Sequence, residues 1–506
     1  MKHSLFLLSL CWLLMSAGTK AQAQQSAAVP EFVGEQLDQY VLRALADWNL
    51  PGAAVAIVKD GRVLVAKGYG LRDFRLPDSV DANTLFMIAS NTKSFTATAV
   101  AMLQHEKKCK ITDKVVDYVP GFAMNDPWVT QHATIADVLS HRLGMATFQG
   151  DFLYFYSNLK PEEIYEKFPL IVPQYEFRTR YGYCNAGYFW AGQCIESITG
   201  EPWNEYIQKN ILQPLDMNRT VMLSANLKQQ ENVASAHTLQ QGVLTVFPQT
   251  NIDVIGPAAS MSSSVNDLSH WLIAQLDSGR YDGKQVIPYE AIRATRYPQT
   301  IEGSYSQYGL GWSIDDYKRV QVISHGGGIL GFFTGVAMVP ELNLGIVVLT
   351  NSDENWFSDA LQNEIIDAFK GLPVSDYSSQ YLQAYNRRQE STNEKIERWR
   401  DTVAMNFPPS VPLGVFTGPY QNEIYGNIRV SVSGDSLLLH FEHHPDLKAT
   451  LQHLSGDRFL CTYFPSRMGT EVLPFVVKDG QVEGFTLKVA DRLERTTYDF
   501  TKVFVE

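Results

Sequence analysis

Three short patterns in this chain bring together residue types able to perform acyl transfer. In "IASNTKS", Ser90 stands three positions ahead of Lys93. A serine hydroxyl attacks a carbonyl when a nearby base takes its proton, and a lysine can be that base once it is neutral. With a reference pKa near 10.4, only about one lysine in 2,500 is neutral at pH 7, so the pairing demands a depression of about three units, roughly 4 kcal/mol. The dipole at a helix N-terminus and burial both push the amine that way. A cation placed there breaks a local stability rule, and such breaks concentrate at functional sites. The pattern recurs at Ser157 and Lys160, but Pro161 follows directly and disfavours the helical turn that would hold the lysine over the serine.

The second pattern, Tyr-x-Asn, occurs at Tyr156, Tyr183, Tyr420 and Tyr425. The third, His-x-Gly, occurs at His325-Gly326-Gly327; its lysine version falls only at Lys59 and Lys478, each inside an Asp-Gly turn.

These residues need elements to position them. The run "AAVAIVKDGRVLVAKGYG" reads as two strands around an Asp60-Gly61 hairpin. Phe95, Ala99, Met102 and Leu103 recur at helical spacing, which sets Ser90 at a helix start. "TIADVLSHRLGM" opens with Thr134 and Asp137 in capping-box spacing and is expected to stay helical to near Gly144. Further helices are expected from about Asn185 to Gly200, over Trp203 to Leu212, over "SSSVNDLSHWLIAQL" and over "DALQNEIIDAF", with strands in "VQVISHGGG", "FFTGVAMV" and "LGIVVLTN". A hairpin, then helices, then returning strands implies one α+β domain with a helical insertion. From Ser378 to Met405 the chain is polar and charged, and "NFPPSVP" then breaks any helix. Beyond it, alternation at Ile428, Val430 and Val432 and an Asp479-Gly480 turn indicate a separate all-β module.

Composition limits the functions open to such a chain. Its 506 residues, 45% apolar and 12% aromatic, can bury a large core. The formal charge is −12, and removing Lys2 and Lys20 with an N-terminal segment that holds no acid takes it to −14, which disfavours nucleic acid and anionic membranes as partners. Lys2 and His3, the apolar run Leu5–Met15 and Ala21-Gln22-Ala23 form an export layout with cleavage before Gln24, and the apolar run is too short to span a bilayer. Cys109, Cys184, Cys194 and Cys461 read as buried thiols; on one helix Cys184 and Cys194 would stand about 15 Å apart, beyond disulfide reach.

With these motifs in order, the chain resembles the serine β-lactamase and penicillin-binding-protein superfamily, in particular its class C-like branch of D-aminopeptidases and esterases. Around Tyr183, "YGYCNAGYFWAGQCIESITGEPWNEYIQKNILQPLDM" is similar to the family's second motif, whereas Tyr156 lacks this flank and Tyr420 and Tyr425 lie in the β module. "LSHRLGM", "YGLGW" and "ITDKVVDYVPGF" add to the likeness, which covers roughly residues 35 to 370. The resemblance implies a β-lactamase/transpeptidase-like antiparallel sheet flanked by helices. It also implies that Ser90 is the acylated nucleophile, that Lys93 assists its deprotonation, that Tyr183 is the other proton carrier, that Asn185, His325 and Gly327 bind substrate, and that the Ser90 and Gly328 N–H groups form the oxyanion hole. His325 stands where class C β-lactamases carry lysine, and Gly326 where they carry a hydroxyl residue; Cys184 and Arg142 are further departures. The expected organisation is an export signal over 1–23, a hydrolase domain over 24–375, a polar helical linker over 376–410 and a β module over 411–506.

The implied activity is an exported, periplasmic or extracellular hydrolase with no cofactor or metal. It would cleave an amide or ester through an acyl-enzyme, with D-amino-acid peptides or cell-wall fragments as the leading substrates. A carboxylesterase or β-lactamase on the same machinery, and a non-hydrolytic binding protein or sensor, are the alternatives. His440, His443 and His444 lack the spaced partners of a metal site. Gly326, Gly328 and Gly331 fit a dinucleotide pattern but lead into β-rich sequence instead of a helix.

Overall fold

The computed structural model describes residues 29–504 except 241, 354, 466 and 467; the export layout lies outside these. The first two strands, β1 (Gly52–Lys59) and β2 (Arg62–Gly70), form the hairpin, with Asp60 at φ 51° and Gly61 at φ 73°, the double positive-φ turn that Asp-Gly favours. The sheet resumes after the insertion as β3 (Thr300–Gly303), β4 (Ser306–Tyr308), β5 (Ser313–Tyr317), β6 (Val320–Ile329), β7 (Phe332–Val339) and β8 (Leu344–Thr350). The order is β2-β1-β8-β7-β6-β5-β4-β3, and every neighbouring pair is antiparallel. β1 pairs β8 from Ala53–Thr350 to Lys59–Leu344, so the ends of the domain close on each other around the insertion.

Both faces of this sheet are covered, which is why β1 is apolar nearly throughout instead of alternating. Ala53, Val55 and Ile57 pack with α1 (Leu37–Asp47) on one face, while Ala54, Ala56 and Val58 join the core of the helical insertion on the other. At the centre of that core runs α2 (Thr92–His105), with every residue from Thr92 to Leu103 buried. The expected apolar stripe is therefore only part of a helix enclosed on all sides. The insertion also holds α3 (Asn185–Thr199), stopped by Gly200 at φ 73°, and α4 (Val265–Leu276).

The helix opened by the Thr134–Asp137 capping box is shorter than expected and ends at Leu139 instead of near Gly144. His141 turns out of it at φ 58°, and Arg142 folds back to donate to Asp137 Oδ1 at 2.6 Å. Arg178 grips the same carboxylate at 2.6 and 2.9 Å, which gives Arg142 a role in holding this turn. From Trp203 the helix is α-helical to Ile207 and widens into a π-turn over Gln208–Leu212.

After the sheet come α5 (Phe357–Phe369) and the long α6 (Tyr377–Ala404), then eight strands from Gly418 to Lys502 in a closed barrel. Ile428 and Val430 point into the barrel, while Val432 is exposed near its turn. The barrel interior is filled by rings, with Phe416, Phe459 and Phe475 within 5.3 Å of one another. All four described cysteines are free and buried. Among the described residues no helix is long and apolar enough to cross a membrane, and no cluster of His, Cys, Asp and Glu could hold a metal ion.

Candidate active site

Ser90 sits in a single 3-10 turn, Ala89–Asn91, that leads straight into α2. The preceding Ala89 has φ 46°, a left-handed conformation that strains a residue bearing a Cβ and persists only where the surroundings enforce it. Asn91 supplies that enforcement by donating to the Ile88 carbonyl at 3.0 Å and to Thr334 Oγ1 on β7 at 2.9 Å. β6 crosses this turn so closely that a Cβ on Gly327 would lie 2.1 Å from the Ile88 oxygen and 2.5 Å from Thr334 Oγ1. The glycine allows strand and turn to touch.

Lys93 is fully buried on the first turn of α2. Its Nζ lies 3.2 Å from Ser90 Oγ, 2.6 Å from Asn185 Oδ1 and 3.1 Å from the Ala258 carbonyl. Burial pushes the amine from 10.5 down to about 7, against a smaller opposing pull from Asp151. A neutral amine has two N–H groups and one lone pair. Asn185 and Ala258 can only accept from it, so the lone pair is left for the Ser90 hydroxyl.

Tyr183 is hydrogen-bonded to Ser90, and burial raises its phenol well above 10, so it is a proton-bearing group at neutral pH. Its ring lies 4.7 Å from Lys93 Nζ and stacks on His141 at 4.2 Å. Asn185 opens α3 and is oriented by a residue the motifs did not reveal: its Nδ2 donates to Asp151 Oδ2 at 2.6 Å, which leaves Oδ1 for Lys93. Asp151 is buried and also accepts from the Tyr154 hydroxyl. Chiefly through burial, its carboxyl is pushed up to about 7.

His325 lies on β6 with both ring nitrogens engaged. Nδ1 meets the Gly326 carbonyl at 2.6 Å, which requires a proton on Nδ1, so Nε2 accepts from the Tyr308 hydroxyl at 3.1 Å. Burial and Lys93 push this imidazole down to about 3, so it stays neutral. The pairing of β5 with β6 stops at Ser313–Ser324, and His325 through Ile329 then line the cleft, with Gly326 and Gly328 exposed to it.

Ser90, Tyr183, Asn185, His325, Gly327 and Gly328 thus share one cleft of about 1200 Å³, with Lys93 beneath its floor. Tyr156 lines the same cleft at φ 61°, but Tyr183 is the tyrosine bonded to Ser90; Tyr425 lies in the barrel. Glu302 lines the wall near His325, accepting from Ser306 at 3.0 Å and Ser313 at 2.9 Å, and burial raises its pKa. The barrel and α6 form the opposite side, bringing Arg388, Lys395 and Tyr463 to the cleft. Sequence patterns missed Asp151, His141 and Glu302, which have no spacing relation to Ser90. His141 alone had a signal, inside "LSHRLGM".

An antiparallel sheet interrupted by a helical lobe, with serine and lysine one turn apart where the two meet, defines the serine β-lactamase and penicillin-binding-protein-like superfamily. Residues 37–369 match the Beta-lactamase family and residues 405–504 the Domain of unknown function (DUF3471), so the chain belongs to the Beta-lactamase family of serine hydrolases. It is 29% identical over 433 residues to a protein named unguisins hydrolase ungD' from Aspergillus campestris (strain IBT 28561), covering 78% of each chain. In fold it is similar to an octameric penicillin-binding protein homologue from Pyrococcus abyssi, at a TM-score of 0.60 and 22% identity over 92% of this chain and 99% of that one. It is also similar to a D-stereospecific amidohydrolase from Streptomyces sp., at a TM-score of 0.55 and 23% identity over 65% of this chain and 96% of that one.

Proposed function

We propose that the protein hydrolyses an amide or ester through an acyl-enzyme on Ser90. The observation that carries this reading is Lys93 Nζ 3.2 Å from Ser90 Oγ, with Asn185 Oδ1 and the Ala258 carbonyl taking its other two contacts, at the floor of an open cleft. Ser90 Oγ bonds to the substrate carbonyl carbon while its proton passes to Lys93 Nζ. Collapse of the tetrahedral intermediate breaks the C–N or C–O bond, and the leaving group takes a proton through Tyr183. Water then attacks the acyl-serine, the acid departs and Ser90 regains its proton. The backbone N–H groups of Ser90 and Gly328 are the oxyanion donors in this scheme, and losing one such donor typically reduces rate 10²–10³-fold. Asn185 and the β6 edge at Gly327 hold the substrate.

The His325 wall supports an amine-bearing or uncharged substrate over a carboxylate-bearing β-lactam. Its imidazole is neutral, Gly326 has no hydroxyl, and Glu302, whose carboxyl burial raises, would repel an anion in its ionised form and adds no positive charge in its neutral one. A D-amino-acid peptide or cell-wall fragment fits this chemistry where it presents an amine to this wall and no free carboxylate, and the relative named a hydrolase is in keeping with hydrolysis. Export to the periplasm or exterior, with cleavage before Gln24, belongs to the same proposal and rests on the N-terminal layout alone.

A fluorophosphonate probe is expected to label the wild type and not Ser90→Ala; equal labelling of both overturns the assignment. A panel of D-alanyl peptides, p-nitrophenyl esters and nitrocefin then distinguishes peptidase, esterase and β-lactamase. Absence of turnover across the panel would favour a binding role.

A further inference from the structure

Five neutral donors converge on one carboxylate where the barrel meets the rest of the chain. Glu494, in the loop before the last barrel strand, is wholly buried. It accepts from the Gly150 N–H at 2.7 Å and the Phe152 N–H at 3.0 Å. Within its own module it accepts from the hydroxyls of Tyr425, at 2.8 Å, Thr496 and Tyr498. Gly150 and Phe152 flank Asp151, the group that orients Asn185 toward Lys93. The barrel tightens this hold through His444, whose Nε2 bonds the Phe152 carbonyl at 2.7 Å and whose ring stacks on the Phe152 ring at 4.0 Å.

We propose that Glu494 is a positioning residue for the Ser90–Lys93 pair, acting across the barrel seam through Asp151 and Asn185; the proposal rests on the reading of Ser90 as the nucleophile. Part of its action is geometric. Fixing the two amides around Asp151 fixes the carboxyl that turns the Asn185 amide the right way round, and displacements of about 1 Å at such supports can lower rates by about 10². The other part is electrostatic. Burial raises the Glu494 carboxyl as well, opposed by the hydrogen bonds it accepts; in its ionised form it adds to the burial that pushes Asp151 up to about 7, and the protonated form of Asp151 does not stabilise the Lys93 ammonium.

The remaining groups around the pair do not compete for this role. Tyr183, Tyr188 and Cys184 face Lys93 with their pKa values raised by burial, and His141 and His325 with theirs lowered, so all five are uncharged near neutrality. Tyr154, beside Asp151, and Tyr425 and Tyr498, beside Glu494, are likewise raised by burial. The two carboxyls are the groups left to govern the lysine.

The test is the rate of fluorophosphonate labelling of full-length protein against pH, with thermal melts to verify folding. Labelling of the wild type should rise with pH as Lys93 loses its proton. Glu494→Gln removes the charge, lets Asp151 ionise at lower pH and so raises Lys93; its rising limb is expected to move up by roughly one pH unit. Glu494→Asp keeps the charge but falls a methylene short of the two loop amides, so it should label on the order of tenfold slower with its limb near that of the wild type. A folded Glu494→Gln with an unmoved limb overturns the proposal. If that variant does not fold, wild-type labelling by Glu494→Asp overturns it instead. Failure of the wild type to label at any pH would count against the serine assignment, a separate result from either of these.

Discussion

Replacing Lys93 with methionine should stabilise the protein while abolishing its activity. Methionine nearly matches lysine in volume up to the terminal amine, so repacking is small. Holding an amine at about 7 when its ordinary value is 10.5 corresponds to about 5 kcal/mol against the charged form in the folded state. The variant also strips the donor from Asn185 Oδ1 and the Ala258 carbonyl, at about 1 kcal/mol each, leaving a net gain of about 3 kcal/mol at pH 6. The folded pKa lies below the unfolded one, so between about 7 and 10.5 the unfolded chain binds the extra proton and wild-type stability rises with pH. Below about 7 the penalty is fully present. The advantage of Lys93→Met should therefore shrink by about 3 kcal/mol from pH 6 to pH 9.5. Asp151 acts oppositely, with its pKa raised from 3.8 to about 7, so its contribution falls as pH rises through that lower window; Lys93 pulls this carboxyl down, so in Lys93→Met the fall extends to higher pH. Urea unfolding followed by tryptophan fluorescence at several pH values measures the difference. A variant no more stable than wild type at pH 6, or a gap that does not change with pH, would refute a desolvated, neutral-poised lysine.

Asn185→Asp places a carboxylate where the amide oxygen now sits 2.6 Å from Lys93 Nζ, which should raise the lysine by 1–3 units, cut labelling of Ser90 at pH 7 by roughly 10–10³-fold and restore it toward high pH. A pH profile that only falls in height, without moving, would contradict this. Gly327→Ala would drive its Cβ to 2.1 Å from the Ile88 oxygen and should destabilise the fold by a few kcal/mol with loss of labelling, as read by melting and gel fluorescence. Gly328→Ala, whose nearest atoms are the Phe333 ring at 3.6 Å, should fold normally, and equal damage from both would undermine the close approach of β6 to the Ser90 turn.

The elements with strong local signals were legible in the sequence. The Asp60-Gly61 hairpin, the Thr134–Asp137 cap and the Gly200 stop each rest on chemistry within a few residues, so they fold as read. Where tertiary contacts compete, local reading was insufficient. The helix after Thr134 ends early because Asp137 draws in Arg142 and Arg178, the latter 41 residues away. The sequence around His444 says only that it lacks the partners of a metal site, yet His444 clamps the segment that carries Asp151. Arg142, a departure from the motif without evident purpose in the sequence, is one of the two cations on Asp137.

The amino-acid sequence by itself determined the Ser90–Lys93 spacing, because three residues at a helix start bring two side chains onto one face whatever surrounds them. It determined the strand and helix alternation as well. Only the tertiary structure decided the electrostatics of the lysine. Its shift comes from burial on every side, and its orientation from Asn185, Asp151 and the Ala258 carbonyl, which lie 92, 58 and 165 residues away. Solvent exclusion belongs to the assembled chain, and no local pattern encodes it.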